Sequence, residues 1–372
     1  MVRTVGVEEE LLLIDPVSRQ AVPRAPEVLK HAAEHHLPGS DALDHELFRH
    51  QLEIRTPPVA DVASLYEHVL LTRRTASLAA SAAGLVTAAC GAVPLRSAPP
   101  RTTRNDRYLA MVDTFGEVAR PGGTCGMHVH VAVADDEEAV IALDGLAPWL
   151  PVLLAMSANS PFYAGHDTGY ASWRSHLWAQ WPSAGPTERF GSVAAYREVG
   201  RRLIASGAAL DEGMLYYDAR VARNFPTVEI RVPDVCTDPA DAVLIAALAR
   251  ALVEHLAAAG RPTVASDVWR AELLRAARWR ASRYGLGDRI LDPVSGELAP
   301  ARDVLALLVR TVREPLEAAG DVDIVTEGVA RVLADTGSTR QRAAFERSGG
   351  SVERVVDDLV QRTNAAGNAV RP

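Results

Sequence analysis

The sequence predicts an α+β chain in which short strands with one strongly polar face are interspersed with long helices. Two observations carry this. Four short segments alternate apolar and polar side chains with a period of two, as half-buried strands do. Longer segments between and after them carry helix start and stop signals.

Along the chain, the first strand is 6–10 (GVEEE), with Glu8 and Glu10 on one side. The second is 51–55, where Gln51, Glu53 and Arg55 share a face opposite Leu52 and Ile54. Residues 61–84 form a helix opened by the cap residue Asp61 and closed at Gly84. The stretch 62–90 is the most apolar in the chain, yet Arg73 and Arg74 interrupt it. It reads as a packed helix followed by a strand, because a membrane span needs about 20 uninterrupted apolar residues. Residues 94–104 (PLRSAPPRTTR) read as an exposed loop. The third strand is 127–131, with His128 and His130 aligned opposite valines, and the fourth is 227–232, with Glu229 and Arg231 opposite Val228, Ile230 and Val232. A helix over 238–260 has proline just inside its start and glycine at its end, and 301–319 and 351–363 carry the helical apolar period. One domain over 1–372 is expected, with 364–372 as a frayed tail. LLIDPVSRQAVP at 12–23 and RILDPVSGELAP at 289–300 resemble each other, and two hairpins converging on one turn sequence explain that resemblance.

Composition narrows the function. The 372 residues carry 39 Lys+Arg against 47 Asp+Glu, a net charge of −8 that argues against nucleic acid or an anionic membrane as the main partner. Lys30 is the sole lysine, so a P-loop, a kinase-type lysine and a Schiff-base lysine are all disfavoured. The three cysteines are far apart and never form C-x-x-C, which points away from thiolate zinc and disulfide scaffolds. With an N-terminus that turns acidic within ten residues, a cytoplasmic location is expected.

The residue types on the strand faces point to chemistry. A solvated outer sheet face would also alternate, but this set is carboxylate and imidazole with arginine as the only cation. If the four strands share a sheet, Glu8, Glu10, Glu53 and Glu229 converge, and divalent cations offset their repulsion. Carboxylates with imidazole and no thiolate suit Mg²⁺ or Mn²⁺. Arg55 and Arg231 on the same face could neutralise a transferred phosphoryl group, so nucleotide binding without a P-loop follows. His31, Glu34 and His35 match the inverted zinc-protease pattern H-x-x-E-H, although histidines near a helix C-terminus explain the match more simply. Residues 159–186 hold six of the chain's aromatics, mixed with His166, Asp167, Arg174 and Gly/Pro breaks, and read as a substrate-lining segment.

The strings GVEEELLLIDP, QLEIRTPP, CGMHVHVAV, NSPFYAGHDTGYASWRSHLWAQWPSAGP, LDEGMLYYDAR, FPTVEIRVPDVCTDPADAV and STRQRAAFERSGG, in this order, resemble the carboxylate–amine ligase family called glutamate–cysteine ligase type 2, or YbdK. The resemblance covers essentially the whole chain. It implies a glutamine-synthetase-like domain, a curved and mainly antiparallel sheet with ATP and Mg²⁺ on its concave face and helices behind. By the same resemblance, Glu8, Glu10, Glu46, Glu53, His128 and Glu229 are expected to bind metal. Arg231, Glu229 and Glu53 are expected to act in catalysis, with Arg231 on the nucleotide; Arg55, an arginine that departs from the family pattern, is expected on the nucleotide from its place on the same face. His130, Tyr170, Trp173 and Arg174 are expected to face the substrate, Arg174 on its carboxylate. Ala132 stands where glycine is common in the family. The activity implied is amide-bond formation through an acyl phosphate, glutamate plus cysteine being the family default, in a homo-oligomer acting on small molecules. A ligase with another acid and amine, a metal hydrolase using His31 and His35 or His128 and His130, and a non-catalytic nucleotide binder are the alternatives.

Overall fold

The computed structural model describes residues 2–119, 122–260 and 268–369. The strands are β1 Val5–Ile14, β2 Leu43–His45, β3 Gln51–Arg55, β4 Val86–Ala88, β5 Met127–Ala132, β6 Phe162–Tyr163, β7 His166–Asp167, β8 Ala219–Val221, β9 Thr227–Ile230, β10 Arg289–Leu291 and β11 Leu298–Pro300. The first half of the chain adds helices α1 Ala25–Glu34, α2 Val62–Ala82, α3 Asp106–Phe115, α4 Asp136–Leu146, α5 Leu150–Ser157 and α6 Trp173–Trp178. The second adds α7 Val193–Ala205, α8 Pro239–Ala259, α9 Ala271–Tyr284, α10 Ala301–Thr311, α11 Arg313–Ala319, α12 Val322–Ala334, α13 Gly337–Arg347 and α14 Val352–Ala369.

All four predicted strands lie in one sheet of order β2-β3-β1-β5-β9-β8, with β4 also on β1 and every pairing antiparallel. Their alternation divides the sheet. Val5, Val7, Met127, Val129, Val131, Val228 and Ile230 face α4 and α8 in one continuous core. The acids, imidazoles and guanidiniums face the other way. This is the mainly antiparallel sheet, polar on one face and helix-covered on the other, expected of the α+β chain.

The helix signals act as read. Asp61 accepts a hydrogen bond from Ser64 N at 2.7 Å to cap α2, and Gly260, at φ +70°, ends α8. The predicted helix over 301–319 is two helices broken at Val312. The α14 helix extends through Ala369, so residues 364–369 of the expected tail are helical, while 370–372 lie outside the described residues. The two similar strings each form an aspartate-closed turn. Asp15 Oδ1 accepts from Val17 N and Ser18 N, and Asp292 Oδ1 accepts from Val294 N and Ser295 N. By length and composition α8 could cross a membrane, but 67% of its apolar window is buried inside the protein.

Two arginines inside apolar helices take buried roles that the sequence did not reveal. Arg73 of α2 points at the back of the sheet and grips Glu9, the one acid of the Glu8–Glu9–Glu10 run facing the core. Arg250 of α8 pairs with Asp321.

Candidate active site

Register places the polar side chains in rows across the sheet. Glu10 sits opposite Glu53, which sits opposite Asp44. Glu8 lies between Arg55 on β3 and His128 on β5. His130 pairs with Glu229, which pairs with Arg220 on β8. Neighbouring strands are roughly 5 Å apart, and two like charges at that distance repel by about 3 kcal/mol at an effective dielectric of 20.

One corner of this face is tightly assembled. Glu8, His128 and Glu229 each offer a ligand atom, all lying within 4.8 Å of one another. His128 Nδ1 is 3.2 Å from Glu8 Oε2 and 3.9 Å from Glu229 Oε1, and its Nε2 is 3.8 Å from Glu10 Oε1. His130 Nε2 lies 3.6 Å from Glu8, while its Nδ1 meets Thr227 Oγ1 at 2.9 Å. Glu229 is clamped from two sides. Arg220 donates Nε to Oε2 at 2.7 Å and a terminal nitrogen to Oε1 at 3.2 Å, and Arg231, just beyond β9, also donates to Oε1. Arg231 is anchored by its own backbone, whose N–H donates to Asp218 O at 2.9 Å.

The acids divide electrostatically. Burial works against ionisation of Glu229, but Arg231 and Arg220 outweigh it and hold the carboxyl well below its usual range. Glu8 is also burial-penalised, yet contacts with His128 and His130 bring it below that range. Glu10 is pushed up to about 8 by burial and then by Glu46. Burial and the Glu8 charge raise Glu53 well above normal, and burial likewise raises Glu46. His128 falls to about 4 through burial and the Arg231 charge, so its imidazole is neutral and able to act as a ligand. Buried Glu10 and half-buried Glu46 and Glu53 therefore form an acidic group short of cations, the condition a divalent ion relieves. Three carboxylates and a neutral imidazole around Glu8, with no thiolate, fit Mg²⁺ or Mn²⁺.

Beside this group opens a cavity lined by Glu10, Glu46, Gln51, Trp178 and Trp181. The aromatic segment 159–186 thus reaches the acids through Trp178 and Trp181. Tyr170 and Trp173 do not line that cavity. They pack together at 5.2 Å, Trp173 stacks on His176 at 4.5 Å, and Tyr170 accepts from Trp279 Nε1. Arg174 is buried, donating to the carbonyls of Arg231 and Val232 at 3.2 Å with Asp234 at 3.8 Å. That geometry holds the backbone under Arg231. Arg55 stays at the β2 edge, donating to Asp44 at 3.2 Å, two strands from His128.

Three contributors escaped the sequence reading. Arg220, Asp44 and Tyr216, the last stacked under the Arg231 guanidinium at 5.9 Å, lie in segments too short to show periodicity. A signal existed for Arg220, which stands nine residues before Glu229 across a hairpin turn. His31 on α1 and His35 just past its end stack on each other, and neither belongs to the Glu8–His128–Glu229 cluster.

An acid–imidazole–arginine face on this sheet suits divalent ions and phosphoryl groups, and similarity to known proteins places the chain in the carbon–nitrogen ligase class. The model of glutamate-cysteine ligase family 2 matches residues 4–358. A protein of Nocardioides sp. named "Putative glutamate--cysteine ligase 2-1" is 57% identical over 98% of this chain and 97% of its own length. Among solved structures, glutamate–cysteine ligase from Francisella tularensis in complex with AMP superposes with a TM-score of 0.64 at 13% identity, over 100% of this chain and 90% of that one. A bifunctional glutathione synthetase from Pasteurella multocida gives 0.72 at 16% identity, over 98% of this chain and 53% of that longer one. These two likenesses establish the fold. The chain belongs to glutamate–cysteine ligase family 2, a carboxylate–amine ligase family.

Proposed function

We propose that the protein is an ATP- and Mg²⁺-dependent ligase that joins a small amino-acid-like carboxylate to an amine, with glutamate and cysteine as the default pair. The observation that carries this is the meeting of Glu8, His128 and Glu229 within 4.8 Å, with two arginines on Glu229. Glu8, His128 and Glu229 would hold one ion, and Glu10, Glu46 and Glu53 provide carboxylates for others. Bound magnesium supplies charge neutralisation for the triphosphate.

In the first step, a substrate carboxylate oxygen attacks the γ-phosphorus of ATP, the bond to the β,γ-bridging oxygen breaks, and ADP leaves with an acyl phosphate formed. Arg231 is already oriented by Glu229 and Tyr216, so it meets the transferred phosphoryl group with little reorganisation. In the second step the amine attacks the acyl carbon, loses a proton and expels phosphate, leaving the amide. His130, its Nδ1 held at Thr227, stands on the same face and can orient the substrate. Trp178 and Trp181 wall the neighbouring cavity and limit water access to the acyl phosphate. No protein nucleophile is required.

The test is phosphate and ADP release by the purified protein with glutamate, cysteine and a panel of other acids and amines. Release should require Mg²⁺, a carboxylate and an amine together, and Glu229→Gln should lower it by about 10³-fold while leaving the fold intact. Undiminished turnover in that variant, or turnover without ATP, refutes the proposal.

A further inference from the structure

The Pro- and Arg-rich segment 94–104 takes no part in the acid cluster. With Tyr163 and Ala164 of the β6–β7 hairpin it walls a second, solvent-open cavity of about 320 Å³. Val93, Leu95 and Pro99 supply apolar walls, His50, Arg96 and Arg101 are the basic side chains, and Ser97 and Tyr163 add hydroxyls. No acidic side chain lines this cavity among the described residues, and Gly122 is the residue it shares with the cavity beside Glu10.

Three features mark the cavity as built. His50 is 5% exposed, and its Nε2 has no hydrogen-bond partner among the described residues. A buried polar nitrogen without a partner is costly unless something else satisfies it. Gly123 lies beside that nitrogen at φ +106°, where an added Cβ would come within 2.5 Å of Val93 Cγ2 and 3.0 Å of His50 Nε2. Glycine therefore lets the chain pack directly behind Val93 and the imidazole, two residues that line the cavity. In the β6–β7 turn Ala164 holds φ +50°, a strained value for alanine, pinned by Ala164 N to Val93 O at 3.3 Å and Gly165 N to Pro94 O at 2.7 Å. Arg96 and Arg101 are exposed and make no ion pair among the described residues.

We propose that this cavity binds a small organic carboxylate, with its apolar body against Val93, Leu95 and Pro99, His50 in its wall, and its carboxylate on the two arginines. The apolar walls select an organic acid over a bare anion, and the guanidiniums select an acid over its neutral analogue. The site is separate from the acid cluster and does not depend on the ligase reading.

The test uses the full-length protein and 3-phenylpropionate as probe. Calorimetry follows binding, and the ring-nitrogen resonances of ¹⁵N-histidine-labelled protein report the contact, with His50 assigned from its loss in His50→Gln. Saturable one-site binding that shifts the His50 resonance is expected. Replacing both exposed arginines (R96A/R101A) should weaken it by about tenfold or more, and Glu229→Gln should leave it unchanged. 3-Phenylpropionamide and inorganic phosphate should not compete. Failure to saturate in the millimolar range overturns the proposal, as does equal affinity in the double variant. Competition by phosphate at equal strength overturns the organic-acid assignment.

Discussion

Replacing Arg73 with methionine should destabilise the protein severely without touching the polar face of the sheet. Arg73 and Glu9 are 4% and 2% exposed, so neither can turn to water. The guanidinium donates to both Glu9 oxygens at 2.8 and 2.6 Å, and to the carbonyls of Thr237 and Cys236 at 2.8 and 2.6 Å. Arg73→Met removes all four bonds and leaves a carboxylate buried among apolar side chains. Breaking a buried pair from one side costs about 3–5 kcal/mol. With an unfolding entropy near 2 cal/mol/K per residue, a chain of this length should lose ~5 °C in Tm. The double replacement Glu9→Leu with Arg73→Met removes both charges and should return to within about 1–2 kcal/mol of the parent. Denaturant unfolding followed by tryptophan fluorescence measures all three proteins. A single variant within about 1 kcal/mol of the parent, or a double variant less stable than the single one, would refute the reasoning.

Two further outcomes concern the site. Glu10 sits at about 8, so it keeps its proton at neutral pH and releases it as pH rises through that value. A metal ion that takes the carboxylate must displace the proton, so Mg²⁺ affinity should climb by up to about tenfold per unit from pH ~7 and level off above pH ~9. Calorimetry in buffers of different ionisation heat should register the released proton, and a pH-independent affinity would remove Glu10 from the ligands. Arg220→Met strips two hydrogen bonds from Glu229 and should cost about 10–100-fold in turnover with weakened Mg²⁺ binding. Unchanged kinetics would mean that Arg231 alone fixes the carboxylate.

Much of the site was legible because strand periodicity is an inflexible code. Once Glu8, Glu10, Glu53, His128 and Glu229 lie at alternate positions of strands in one sheet, their side chains must share a face. The helices bounded by Asp61, Asp238 and Gly260 were legible for the same local reason, since caps act within one turn. The break at Val312 was not, because both halves of 301–319 carry the same apolar period.

Local order thus fixed which residues become strands and which way each side chain points, because both depend on a few neighbouring dihedral angles. Tertiary structure alone decided which charges meet. It sent Glu9 to a buried arginine from a helix 64 positions later while its two neighbours faced the site. It drew Arg55 to the sheet edge, set Arg174 beneath the backbone of Arg231, and brought Trp178 and Trp181 rather than Tyr170 and Trp173 beside the acids. Long side chains reach several ångströms past their own backbone, and where they end depends on charges and cavities supplied by distant segments.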